Sequence, residues 1–239
     1  MMNDIQLGNL NTLRRNIRLL LKKRQLEKGQ IWREAWIFLK YILDLNDDNI
    51  QLIELHASHL SGPNPFYYWH PPRLENCLHV SSRDPEVRVY LRYTKNIDDK
   101  YCISSPIIDV LPTPYGIIFN NKIINSNIIR FQAAISNLFT MGILNILKKG
   151  NHPVICEVGS GYGGLAFHLS RIFEKSTYLL VDIPETLFIA GAYLIVNDPT
   201  ANIYIYDEND FSKEFFAANY RRYDYMLIPD FVLPSWGGG

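Results

Sequence analysis

Hydrophobic positions near the start of the chain recur at the helical period, with Leu10, Leu13, Ile17, Leu20 and Leu21 on one face. The pattern predicts helices through residues 5–62: the first on those leucines, a second from Trp32 to Leu45, and a third capped by Asp47 or Asp48 and reaching about Leu60. The period then fails. SGPNPFYYWHPP, from Ser61 to Pro72, combines four prolines and a glycine with four clustered aromatics, which predicts a loop and a subdomain boundary. Beyond it, short β-like runs (Val87 to Tyr93, Tyr115 to Phe119, Lys122 to Ile124) alternate with turn signals such as Asn120-Asn121. Asn125, Ser126 and Asn127 then offer capping side chains to one long helix, Ile128 to Leu147, stopped by Lys148-Lys149-Gly150.

From Pro153 onward strands and helices alternate. Val154 to Val158 is short, apolar and bounded by Pro153 and Gly159, as expected of a buried parallel strand. Gly159-Ser160-Gly161-Tyr162-Gly163-Gly164 follows, then Leu165, Ala166, Leu169 and Ile172 at helical spacing. A second buried strand, Thr177 to Val181, ends at Asp182; a helix from about Glu185 to Val196 and strands near Ile203–Tyr206 and Tyr225–Ile228 complete the series. The expected fold class is α/β: a helical N-terminal extension (1–62), an irregular or hairpin-containing cap (63–126) and a Rossmann-like domain (127–239) with about four parallel strands.

Charge narrows the partners. Lys and Arg number 24 and Asp and Glu 24, so a globally basic nucleic-acid binder is excluded. The local exception is the first helix, where Arg14, Arg15, Arg18, Lys22, Lys23, Arg24 and Lys28 face only Asp4 and Glu27; a solvated face accounts for it, and docking to an anionic partner is the alternative. Cys77, Cys102 and Cys156 are scattered and odd in number, which suits a reducing compartment. The N-terminus lacks the pattern of a signal peptide, and the longest apolar stretches are broken by polar residues, so a cytoplasmic protein with no membrane span is expected.

The chemistry concentrates in residues 153–182. The turn needs glycine where φ is positive and where a ligand approaches backbone, and its N–H groups are expected to face that ligand. Asp182 stands nineteen residues beyond Gly163, the interval at which an acidic side chain accepts hydrogen bonds from ribose hydroxyls. Glu157, two residues before Gly159, would repel a phosphate seated over the turn but would welcome a phosphate-free ligand with a cationic end, such as S-adenosylmethionine. A carboxylate that merely caps nearby N–H groups is the alternative for Glu157.

Glu157-Val158-Gly159-Ser160-Gly161-Tyr162-Gly163 resembles motif I of class I S-adenosylmethionine-dependent methyltransferases, and Val181-Asp182 the acidic end of their second strand. EVGSGYGGLAFHL, YLLVDIPETLFIAGAYL and the upstream IIRFQAAISNL together resemble the putative sugar O-methyltransferase family, over about residues 115–235. The resemblance implies that Glu157 and the backbone from Gly159 through Ser160, Gly161 and Tyr162 to Gly163 hold the methionine part, Asp182 the ribose, and that Ile183 lies beside adenine. Asp207 would reach the adenine amino group, although Asp207-Glu208-Asn209-Asp210 reads at least as well as a polar turn. It further implies transfer of methyl to a carbohydrate hydroxyl of a small-molecule or glycan acceptor.

Such a transfer calls for a base or metal, and none is assigned. Among His56, His59, His70, His79, His152 and His168, only His56 and His59 have ligand-like spacing, and nothing completes a metal site around them. The family's Ser-x-x-Glu-Met signature is missing, and at most four of seven expected strands are present. A C-terminally truncated enzyme is therefore expected, with an unpaired sheet edge prone to self-association and weak or absent catalysis. Two other readings stay open. Gly159-x-Gly161-x-x-Gly164 also satisfies the fingerprint of an NAD-dependent oxidoreductase, and the fold could serve as a non-catalytic nucleoside-binding or assembly module.

Overall fold

The computed structural model describes residues 2–23, 79–105 and 116–233. The second and third N-terminal helices, the aromatic Pro-rich loop and Tyr115 lie outside the described residues. The first helix, α1 (Asp4–Lys23), is present and buries Leu10, Leu13, Ile17 and Leu20.

The run at 87–93 is helical, not extended: α2 spans Pro85–Thr94. Asp84 caps it, its carboxylate accepting from the N–H groups of Glu86 and Val87, and Pro85 sits in the first turn where its missing N–H costs nothing. Val87 and Tyr90, three apart, then share the buried face. The hairpin is as expected. β1 (Ile117–Phe119) and β2 (Lys122–Ile124) pair antiparallel across Asn120 and Asn121, both at positive φ (47° and 60°).

The long helix expected after it is interrupted. α3 (Ser126–Thr140) starts under the Asn125 cap, whose side chain accepts from the Ile128 N–H at 3.0 Å. Gly142, at φ 74°, breaks the run and opens α4 (Ile143–Lys149). Apolar periodicity carried across that break, and the backbone conformation of one glycine did not show in it.

The remainder alternates β3 (Val154–Val158), α5 (Gly164–Ile172), β4 (Thr177–Asp182), α6 (Pro184–Asn197), β5 (Ile203–Ile205), α7 (Lys213–Asn219) and β6 (Tyr225–Pro229). The four strands form one parallel sheet in the order β3-β4-β6-β5. Helices cover both faces. Tyr178, Leu180, Tyr225 and Leu227 point into a core shared with α1, α5 and α6, while Leu179, Val181, Met226 and Ile228 meet Phe215 and Phe216 of α7. α1 therefore belongs to the core of the sheet domain, lying along α6. The described structure is α/β and compatible with a Rossmann-like fold.

Strand order corrects one expectation. In the dinucleotide-binding order the strand before the glycine turn has neighbours on both sides; among the described strands β3 is an edge. Its helix-side residues Ile155 and Glu157 are half-buried, but Val154 and Val158, on the other face, are 40% and 70% exposed and Cys156 is exposed too. α7 covers the centre of its face and leaves β3 bare.

Candidate ligand site at the glycine turn

The turn sits at the carboxyl end of the sheet, where β3 and β4 run in register, Val158 opposite Val181. Gly159, Gly161 and Gly163 take φ of 75°, 56° and 80°, a region costly for any residue with a Cβ. Gly164 is glycine for another reason. A Cβ there would lie 2.5 Å from Phe131 Cε2 and 2.6 Å from the Tyr162 ring, so close packing of α3 on the turn excludes it.

Asp182 ends β4 and ties the turn down. One carboxylate oxygen accepts from the Gly161 N–H at 2.9 Å and the other from the Ile183 N–H at 2.8 Å. Each oxygen retains lone-pair capacity for a further donor such as a ribose hydroxyl. Burial raises the Asp182 pKa; the Gly161 and Ile183 bonds oppose the rise, and Asp230, just after β6, adds to it. Asp230 is a third carboxylate at this end of the sheet that sequence patterning missed. Strand order brings it there, Pro229 lying opposite Asp182.

Glu157 is half-buried on the helix side of β3. Burial pushes its pKa to about 7, the Asp182 charge adds to the rise, and Arg130 opposes it. A cation placed between the two carboxylates would stabilise both ionised forms.

The turn's N–H groups are less available than expected. Gly159 donates to the Val181 carbonyl at 2.8 Å, Gly161 to Asp182, and Gly163 to the Ser160 carbonyl at 3.0 Å. These three donors are used within the protein, so three of the N–H groups that the sequence offered to a ligand close the turn instead. Ser160 is only 5% exposed and its Oγ has no hydrogen-bond partner, an unsatisfied polar atom within the turn itself. Tyr162 is buried against Phe131 (ring centroids 5.8 Å apart) and Tyr193 (4.9 Å), so it anchors the turn more than it lines it.

α3 supplies two residues that sequence reasoning did not place at the site; Asn127 reads there only as a helix cap. Asn127 is buried; its Oδ1 accepts from Arg130 Nη2 at 3.2 Å, and its side chain favours the ionised form of the neighbouring Tyr162. Arg130 is exposed and acts on the charge of both Glu157 and Tyr162. Both lie in the IIRFQAAISNL segment or just before it, but nothing in its periodicity separates them from solvent-facing positions.

Ile183 is half-buried at the start of α6, with its N–H turned to Asp182. Asp207 is not brought to the turn. It follows β5, at the opposite edge of the sheet, and its Oδ1 accepts from the Asn209 N–H (3.0 Å) and side-chain amide (2.7 Å), the polar turn that the residues also suggested.

His56, His59 and His70 lie outside the described residues. His79 is exposed and bridges to Ile118. His152 contacts Thr177 Oγ1 at 2.9 Å, at the far end of β4 from the turn. His168 is buried between Phe131 and Phe167, and burial pulls its pKa down to about 3, so it stays neutral in the core. Among the described residues no group of three metal-ligating side chains forms, and no helix is long and apolar enough to cross a membrane. Comparison with protein-family models, with curated proteins and with solved structures returns no match to this chain.

Proposed function

We propose that the glycine turn binds S-adenosylmethionine and that the chain is a methyltransferase, or part of one, of the class I type. The observation that carries this reading is the Asp182 carboxylate on the Gly161 N–H. A pyrophosphate requires free N–H groups and positive potential at such a turn. Here the donor is consumed by an anion and a second carboxylate, Glu157, stands at the end of the adjacent strand, so the local field favours a cation and disfavours the phosphates of NAD.

The residues fit the group. Glu157 would receive the ammonium of the methionine part, Asp182 the ribose hydroxyls, and the unpartnered Ser160 hydroxyl gains a partner if the amino-acid end lies over the turn. When bound, S-adenosylmethionine supplies a methyl carbon already attached to its leaving group. The protein's share is to hold an acceptor oxygen about 3–3.5 Å from that carbon and to remove its proton. A carbohydrate hydroxyl is the acceptor this reading carries from the family resemblance, and no base is assigned.

Titration calorimetry with S-adenosylmethionine and, separately, NAD tests the assignment. Binding of S-adenosylmethionine without NAD is expected, and Glu157→Ala should weaken it by about 1–3 kcal/mol, the worth of a charged hydrogen bond. A preference for NAD would overturn the reading.

A further inference from the structure

Arg130 is the cation nearest to completing this site, and three contacts fix its place. The Phe131 ring packs edge-on against Tyr162, and the space a Cβ on Gly164 would need is already taken by Phe131 Cε2 at 2.5 Å, so the first turns of α3 rest directly on the glycine turn. Buried Asn127 accepts from Arg130 Nη2 at 3.2 Å and its side chain also favours the ionised form of Tyr162, so one buried group neighbours both the guanidinium and a turn residue. The guanidinium carbon also lies 5.4 Å from the Phe131 ring centroid, which restrains the side chain further.

Arg130 is exposed and makes a single hydrogen bond within the described residues, so most of its five N–H donors are left for a ligand. Glu157 lies within reach of its charge, yet the ion pairs of the described residues include none between the two. Opposite charges held near one another but unjoined, one on α3 and one on β3, match the two ends of an α-amino acid, whose ammonium and carboxylate share one carbon.

We infer that Arg130 binds the carboxylate of the ligand's amino-acid end while Glu157 binds its ammonium, so that the site selects a zwitterion. The inference rests on the S-adenosylmethionine reading and extends it: the specificity lies in the amino-acid part, and α3 contributes half of it. Asn127 is the positioning residue, holding the guanidinium toward the turn.

The test compares ligands that differ only at that end, by calorimetry on the whole chain: S-adenosylmethionine, its decarboxylated analogue, and 5′-methylthioadenosine, which lacks the amino-acid end altogether. Arg130→Met is expected to weaken S-adenosylmethionine about 10- to 100-fold, as for loss of a charged hydrogen-bonded pair. It should leave the decarboxylated analogue unchanged or tighter, because that ligand has no carboxylate to lose and one fewer cation to face. Arg130→Lys should recover part of the loss. Glu157→Gln is expected to weaken both amine-bearing ligands and spare methylthioadenosine. Arg130→Met weakening both amine-bearing ligands equally, or neither, overturns the inference while leaving the cofactor assignment standing. Wild-type protein that binds none of the three overturns the cofactor assignment itself. The melting temperature of unliganded Arg130→Met, expected within about 2 °C of wild type for an exposed position, separates lost recognition from lost folding.

Discussion

Glu157 is the residue at which structure and solution behaviour should be most visibly coupled. Its pKa rises from 4.5 to about 7, chiefly through burial and then through the Asp182 charge. The folded state therefore holds a proton at pH values where the unfolded chain has released it. Glu157 therefore contributes stability that is lost as pH rises from about 4.5 to 7, while the buried neutral His168 contributes in the opposite direction between about 3 and 6.5. Glu157→Gln, which cannot ionise, should be more stable than wild type by about 2 kcal/mol at pH 8 and nearly equal to it at pH 4.5, read by urea denaturation at both values. A Glu157→Gln advantage over wild type that does not grow between those pH values would contradict the burial of this carboxylate. Affinity for a cationic ligand runs the other way, rising from pH 6 to 8 as Glu157 ionises.

At the scale of elements, the decisive contact is between α1 and α6. Gly191 of α6 faces Leu13 of α1 so closely that a Cβ would sit 2.6 Å from Leu13 Cδ2 and 2.8 Å from Leu227 Cδ1. Alanine is the better helix former by about 1 kcal/mol, but overpacking a closed core costs about 1–3 kcal/mol. Gly191→Ala should therefore lower stability by about 1–2 kcal/mol in thermal or urea unfolding. In a Leu13→Ala background the same change should cost less, because the two Leu13 methyl groups are gone and only Leu227 Cδ1 still stands in the way. An equal loss in both backgrounds would mean that the two helices do not meet at these residues.

At the scale of the whole molecule, β3 is an edge strand among the described residues, with an apolar face, Val158 being 70% exposed. Parallel strands are ordinarily covered on both faces, and a bare edge recruits other strands. Concentration-dependent self-association is expected in sedimentation velocity, and Val158→Lys should reduce it without lowering the melting temperature by more than about 2 °C, since the side chain points to solvent. Wild-type protein that sediments as a monomer at all concentrations would refute this.

Local patterns sufficed where local physics decides. Hydrophobic period and β-branched runs marked α1 and the strands 154–158, 177–182, 203–205 and 225–229; paired asparagines marked the hairpin, and three glycines at positive φ marked the turn between β3 and α5. The misreadings were also local in origin. Residues 87–93 were read by their β-branched and aromatic content, whereas the Asp84-Pro85 start governed them, and the 128–147 periodicity concealed the Gly142 break. Which carboxylates converge and which N–H groups remain free is a different kind of property, because it depends on which strands lie side by side. The order β3-β4-β6-β5 brings Asp230 toward Asp182 and carries Asp207 to the far edge. Packing of Phe131 on Tyr162 brings Arg130 to Glu157 across twenty-seven residues of chain. Backbone and side-chain chemistry near in sequence set the elements and the turn; the charge constellation around that turn came only from long-range packing, in which the hydrophobic effect selects neighbours without regard to their separation along the chain.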